Sequence, residues 1–164
     1  MSKHSPHLFK GFLAGLIAIT ANTILLKAAP ALHIQAESGG LLKLILLHTQ
    51  DYFSQGMFVY FKTTLFWLLF HYLTGFTMVL IYLYIFEPVL PGKGWLKGSL
   101  FSLFPWLING LIVLPLLSQG MLGIHQLSMA GIIYFFIVNW LFGWILGVVY
   151  EVLSRNNVYI KWLN

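Results

Sequence analysis

Residues 127–150 read LSMAGIIYFFIVNWLFGWILGVVY, a run of 24 positions without a charged side chain. A helix rises about 1.5 Å per residue, so this run is long enough to cross the roughly 30 Å hydrocarbon core of a bilayer. Backbone polar groups cannot stay unpaired in that core, and the alternating ten-residue segments of a transmembrane β-barrel are absent from the sequence. The run therefore predicts a membrane-spanning α-helix.

Three further stretches predict spans of the same kind, at residues 8–29, 63–86 and 98–117. Across the whole chain 59% of the residues are hydrophobic and 8% are charged, whereas a soluble domain carries roughly 25% charged residues. Most of the outer surface must therefore meet lipid or other protein. We predict an all-α integral membrane protein in which residues 1–164 form a single membrane domain, a bundle of four transmembrane helices.

The first connection, residues 33–60, contains an apolar segment that is too short to span a bilayer. Residues 41–47 read LLKLILL, which predicts a short interfacial or re-entrant helix. The alternative is a helix that docks on a partner subunit, because an exposed apolar surface outside a membrane requires cover.

Four spans place both termini on the same side of the membrane. That side would carry six basic residues: Lys3, Lys10, Lys93, Lys97, Arg155 and Lys161. The opposite side would carry the other three: Lys27, Lys43 and Lys62. This bias predicts cytoplasmic termini under the positive-inside rule. We attribute the formal net charge of +5 to orientation and expect no nucleic-acid partner, since no basic cluster occurs in the sequence.

Polar side chains inside a span are energetically costly and therefore mark candidate sites. Each predicted span has one: Asn22, His71, Asn109 and Asn139. At about 1.5 Å per residue, all four fall roughly 16 to 23 Å from the cytoplasmic end of their spans, in one layer near the midplane. The simpler interpretation is a set of interhelical hydrogen bonds that fixes helix register. The other interpretation is a binding site or a proton relay in which His71 titrates.

Small residues repeat every three or four positions along the first and last spans, a spacing that lets helix backbones approach closely. The packing candidates are Gly11, Gly15, Ala18, Gly143 and Gly147. We expect them to face helices of the same chain, with a homodimer interface as the alternative. In the third span Pro105 and Pro115 each remove a backbone donor and predict bends.

No catalytic or cofactor signature accompanies these residues. The chain has no cysteine, no HExxH or HxxxH spacing and no GxSxG elbow, so the usual thiol, zinc and serine-hydrolase arrangements are excluded. Glu87 and Glu151 fall at the ends of spans, where pairing with nearby basic residues is expected. His71 is the one histidine clearly inside a predicted span. We therefore predict no cofactor, with a haem or metal held by His71 as the lesser alternative.

Several short motifs resemble those of a known family. They are Lys10-Gly11-x-x-Ala14-Gly15, His71-x-x-x-Gly75, Gly94-Trp95-Leu96-Lys97-Gly98, Trp106-Leu107 with Pro115, Gly120 and Gly123, and Gly143-x-x-x-Gly147-x-x-Tyr150. Together they resemble the uncharacterised YagU-like four-helix inner-membrane proteins of bacteria, over about residues 10–150. The resemblance implies four helices and a bacterial inner membrane, and it implies no activity. The apolar segment at 41–47 and the 17% aromatic content depart from it.

These observations favour a non-catalytic accessory or assembly subunit of a larger membrane complex. Such a subunit packs through its helices against other membrane subunits and lipids, with a homo-oligomer as the alternative assembly, and can line a site for a lipid, quinone or pigment. The alternative is a small transporter or channel that uses the polar layer around His71. A haem- or metal-binding electron carrier is the third hypothesis.

Overall fold

The computed structural model describes residues 5–36, 40–53 and 55–160. Within these ranges the regular elements are all helical. Four helices are long and apolar enough to cross a membrane, which confirms the predicted four-helix bundle and makes the chain an integral membrane protein. The helices are α1 (Ser5–Ala28, continued by a 3-10 turn at Ala29–Leu32), α2 (Gly40–Thr49), α3 (Gln55–Phe61), α4 (Thr64–Val89), α5 (Gly94–Leu116) and α6 (Met129–Ile160).

The short helix α2 contains the predicted segment 41–47, and the four spans lie within a few residues of their predicted positions. The largest difference is at the end of α6, which continues to Ile160 rather than ending at residue 150. At the other boundaries the largest difference is at α5, which begins at Gly94 rather than at residue 98. The prediction treats Lys97 as a loop residue, but Lys97 lies in the first turn of α5. Its ammonium is 3.1 Å from Oε1 of Glu87, so the charge is paired and does not end the helix.

The bundle has two distinct ends. At the termini end α1 begins, α4 joins α5 through residues 90–93, and α6 finishes. The loop end holds α2, α3 and the connection between α5 and α6. Lys3 and Lys161, which contribute to the predicted orientation, lie outside the described residues.

Around the bundle the helices follow the order α1, α4, α5, α6. The closest pairings are α5 with α6 and α1 with α6, followed by α1 with α4. The last pairing, between α4 and α5, is made mainly by the segment Tyr82–Phe86 of α4. Of the four spans α4 is the least buried.

Glycines allow the contact between α5 and α6. Gly94 and Gly98 of α5 face Gly147 and Gly143 of α6, and each backbone carbonyl occupies the space where a Cβ of its partner would stand. The structure therefore places the two predicted packing residues of the last span at an intramolecular interface. Their partners in α5 have the same four-residue spacing.

The predicted packing residues of the first span also face a neighbour in the same chain. Gly11 lies against the side chain of Leu83 and Gly15 against that of Val79, both in α4. Ala18 is fully buried in the core. Because these neighbours are side chains and not backbone, α1 and α4 can adjust to one another more easily than α5 and α6 can.

Two helices contain a π-helical turn, and each turn precedes a proline. Tyr82–Phe86 of α4 comes just before Pro88, and Asn109–Val113 of α5 just before Pro115. A proline ring collides with the carbonyl four residues earlier, and an extra residue in the preceding turn moves that carbonyl aside. At Pro105, by contrast, the backbone stays α-helical.

The apolar core lies between the polar layer and the termini end. Its buried residues are Ala14, Ala18, Ile19, Val79, Tyr82, Phe101, Phe142, Leu146 and Tyr150. Aromatic rings dominate it: Phe101 packs against Tyr82 and Phe86 with ring centroids 5.3 and 5.0 Å apart. This closely packed layer determines where empty space is left in the bundle.

Candidate ligand-binding cavity

A cavity of about 190 Å³ lies between the four spans, on the loop-end side of the apolar core. All four predicted polar residues line it: Asn22 from α1, His71 from α4, Asn109 from α5 and Asn139 from α6. The sequence predicts these residues at one depth, and the structure brings them together in the lining of one partly open cavity. Thr74, one turn from His71, adds a hydroxyl.

The cavity exists because α4 does not follow its neighbours closely. α4 packs on α1, where Gly75 allows the Ile19 side chain to come close, but it meets α5 mainly at its π-helical turn near the termini end. Toward the loop end, the space between α4 and the pair α5–α6 is left open. The start of α2 fills part of this space, with Gly40, Leu41 and Leu42 in the cavity wall.

Helix α2 is held at the cavity by α5. A Cβ added to Gly40 would lie 2.9 Å from Oδ1 of Asn109 and 3.4 Å from Val113 Cγ1. Leu42 is buried, whereas Leu41 and Ile45 are exposed. α2 therefore starts beside the polar layer and also presents apolar side chains outward, as expected for a helix immersed in lipid.

Two of the asparagines are fixed by backbone hydrogen bonds. Asn22 Nδ2 donates to the Val138 carbonyl at 3.2 Å and so joins α1 to α6. Asn139 Nδ2 donates to the Phe135 carbonyl, one turn earlier in its own helix, at 2.8 Å. Each amide uses an N–H in this way and keeps its side-chain oxygen as an acceptor for a further group.

The imidazole of His71 is fixed by stacking. It lies parallel to the indole of Trp67, with ring centroids 5.0 Å apart and an angle of 9° between the planes. The ammonium of Lys27 sits 5.6 Å from the Trp67 ring centre, within the range of a cation–π contact. A second ring, that of Tyr72, meets His71 edge-on. The face of the imidazole is thus occupied, and the polar ring edge is the part available for hydrogen bonding.

The remaining lining is apolar. It includes Leu26, Phe70, Met78, Ile108, Phe135 and Phe142. Ile19 and Phe142 also belong to the apolar core, so the core forms the floor of the cavity on the side of the termini end. Mostly apolar walls with a few convergent polar groups are the usual character of a small-molecule site.

Among the described residues, the other histidines do not line the cavity. His7 is 3.3 Å from the Tyr150 hydroxyl, and His48 bonds to the Leu44 carbonyl within α2. Over the described ranges no three histidine or acidic side chains come together as a metal-binding group. A haem or metal at His71 therefore gains no support from neighbouring ligands, and the cofactor prediction itself stays a prediction.

Sequence reasoning did not identify three contributors to this site. These are the indole of Trp67, the backbone of α2 at Gly40, and the π-helical turn that begins at Asn109. Trp67 has a detectable signal, since it precedes His71 by four residues and so shares its helix face. Comparisons with known proteins add no further assignment: no protein-family model, no curated protein and no solved structure matched this chain.

Proposed function

We propose that this chain is a non-catalytic membrane protein that binds a lipid-soluble small molecule in the central cavity. The observation that carries the proposal is the convergence of Asn22, His71, Asn109 and Asn139 on one cavity. Four polar side chains that only fixed helix register would be used up by bonds to neighbouring helices. Here Asn139 bonds within its own helix, and His71 stacks on a residue of its own helix.

The size and lining of the cavity support a particular class of ligand. A dry cavity of about 150 Å³ in another protein binds benzene, so 190 Å³ is enough for a single ring with small substituents. The asparagine oxygens accept hydrogen bonds, and the imidazole and amide N–H groups donate them. A ring that carries hydroxyl or carbonyl groups, attached to an apolar tail, matches this environment, as in a quinone or a similar lipid-soluble compound.

The geometry favours binding over conduction. A channel requires a continuous polar path from one side of the membrane to the other. Between the cavity and the termini end, the bundle is filled by the fully buried side chains of Tyr82, Phe101 and Leu146. This packed layer supports a site that is closed toward the termini end, which makes the channel form of the alternative hypothesis the weaker one.

The setting of the protein is part of the proposal. We assign it to a bacterial inner membrane with both termini in the cytoplasm, on the six-to-three bias of basic residues and the resemblance to the YagU-like proteins. We further propose that it acts as an accessory subunit that holds its ligand for partner proteins, since the chain shows no catalytic signature.

A matched pair of substitutions in α4 tests the ligand site. Thr74 lines the cavity, whereas Thr77 is exposed on the same helix and bonds to the Leu73 carbonyl. We expect organic extraction of the purified wild-type protein, followed by mass spectrometry, to yield a ring-containing apolar molecule in near-stoichiometric amount. Thr74→Leu overfills the site, and overpacking typically costs 1–3 kcal/mol, so its bound fraction should fall about tenfold. Thr77→Leu should keep the wild-type amount.

Equal amounts of the extracted molecule in both variants would show that it does not occupy the cavity, and the proposal would fail. Purification from the native membrane in a mild detergent tests the accessory role separately. Stoichiometric membrane partners support that role, and recovery as a single species with bound ligand would limit the protein to ligand storage or transfer.

A further inference from the structure

A second cavity, of about 300 Å³, lies at the termini end of the bundle and plays no part in the proposed function. It is formed where α4 ends, α5 begins and α6 leaves the spanning region. The side chains that matter here are Tyr82, Glu87, Lys97, Tyr150, Glu151 and Arg155. In contrast to the central cavity, most of these carry charge.

The charges in this wall form two ion pairs. Lys97 Nζ donates to the Glu87 carbonyl at 2.6 Å and to its carboxylate at 3.1 Å. The Arg155 guanidinium pairs with Glu151, whose other oxygen accepts the backbone N–H of Gly94 at 2.6 Å. The wall therefore holds two cations and two anions. A ligand with a single charge would meet as much repulsion as attraction from these pairs, whereas a ligand that carries both signs can interact favourably with both the cations and the anions.

The depth of the cavity indicates where such a ligand comes from. Glu87 lies near the end of α4, Lys97 in the first turn of α5, and Arg155 at the end of the spanning part of α6. These are the positions at which the bundle leaves the hydrocarbon core and meets the lipid headgroups. Beside them α4 exposes apolar side chains, among them Ile85 and Val89, on which acyl chains can lie.

Tyr82 provides an independent sign that the cavity is incomplete. This tyrosine is 0% exposed, and its hydroxyl has no hydrogen-bond partner among the described residues. A buried hydroxyl without a partner destabilises the fold and calls for an explanation, such as an occupant that is not part of the chain. Tyr82 also begins the π-helical turn of α4, and such turns are frequent at functional sites.

We propose that this cavity binds a zwitterion in which a phosphate is linked to a primary ammonium. The phosphate pairs with Lys97 and Arg155, because cations at the rim of a cavity bind phosphate oxygens. The ammonium N–H groups donate to the carboxylates of Glu87 and Glu151. Phosphatidylethanolamine has this headgroup and is the lipid source of the ligand; free phosphoethanolamine is the soluble source.

Native mass spectrometry of the full-length protein in detergent tests the proposal. The protein is incubated with equal amounts of phosphatidylethanolamine, phosphatidylcholine and phosphatidylglycerol that carry the same acyl chains. We expect retention of phosphatidylethanolamine about tenfold above the other two, which corresponds to about 1.4 kcal/mol. Phosphatidylcholine lacks the ammonium N–H donors, and phosphatidylglycerol lacks the positive charge. Displacement by millimolar phosphoethanolamine identifies the soluble source, and resistance to it identifies the lipid.

The double substitution Glu87→Gln with Lys97→Gln removes one ion pair and leaves the net charge unchanged. We expect it to abolish the preference for phosphatidylethanolamine. Lys93→Gln is the control, since Lys93 is exposed one turn before Lys97 and does not line the cavity. Tyr82→Phe removes the hydroxyl and keeps the ring in the core. If the double variant does not fold, this variant provides the test, and we expect it to lose phosphatidylethanolamine retention. Equal retention of the three lipids, a preference for phosphatidylglycerol, or unchanged selectivity in the variants would overturn the proposal.

Discussion

From the close contact between α5 and α6 we can predict how much one added methyl group lowers the free energy of unfolding. In Gly147→Ala the new Cβ would overlap the carbonyl oxygen of Gly94, an atom of the backbone. No side-chain rotation relieves this overlap, so the two helices must separate along a contact that includes Gly98 and Gly143. Overpacking of a well-packed site typically costs 1–3 kcal/mol. We therefore expect the free energy of unfolding to fall by about 2 kcal/mol.

Two further glycines provide a scale for this loss. Gly56 lies in α3 with no atom within 4 Å of an added Cβ, so Gly56→Ala should stabilise the helix by up to about 1 kcal/mol. Gly15→Ala brings the Cβ to 2.6 Å from Val79 Cγ2, the end of a side chain that can move. Its effect on the free energy of unfolding should therefore lie between those of Gly56→Ala and Gly147→Ala.

Equilibrium unfolding in mixed micelles, with increasing mole fraction of sodium dodecyl sulfate and helix content as the readout, measures all three variants under the same conditions. A loss in Gly147→Ala no greater than in Gly15→Ala would refute the reasoning. It would mean that the backbones of α5 and α6 are not in contact at this point.

Two other substitutions test the polar layer and the π-helical turn. Asn22→Leu removes the hydrogen bond to the Val138 carbonyl and should lower the free energy of unfolding by about 0.6 kcal/mol, the average for such bonds in a membrane. Unfolding in mixed micelles measures this change. A loss above about 2 kcal/mol would contradict the expectation and show a larger role for the amide. Pro115→Ala removes the ring that the π-helical turn accommodates, so the turn should tighten and rotate Asn109 relative to the end of α5. Cysteine cross-linking between positions 40 and 109 in this cysteine-free chain should then become less efficient than with Pro115 present, and an unchanged yield would contradict the link between the proline and the turn.

The number of spans and the depth of the polar layer follow directly from the sequence. Predominantly apolar runs long enough to cross a bilayer form helices there, and a fixed rise per residue converts sequence position into depth. For this reason Asn22, His71, Asn109 and Asn139 are predicted to share one layer, and all four line the central cavity.

The partners across the helices do not follow from the sequence. Gly94 and Gly98 are not among the predicted packing residues, because Lys97 between them indicates a loop and its pairing with Glu87 is a tertiary interaction. The rotation of the helices about their axes cannot be predicted from the sequence for a different reason. A π-helical turn contains an extra residue, which changes the face on which every later residue lies. A constant helical period therefore cannot predict which side chains of α4 and α5 meet.

The loose attachment of α4 makes the bilayer part of the architecture. α4 is fixed to α1 along one side and meets α5 mainly through one turn, so over most of its surface the surrounding lipid is its neighbour. The width of the central cavity consequently depends on lateral pressure as well as on side-chain packing. Micelles exert a different pressure from a flat bilayer, so the affinity for a ligand in the cavity is a property of the protein and its membrane together, and nanodiscs of defined thickness are the setting in which to measure it.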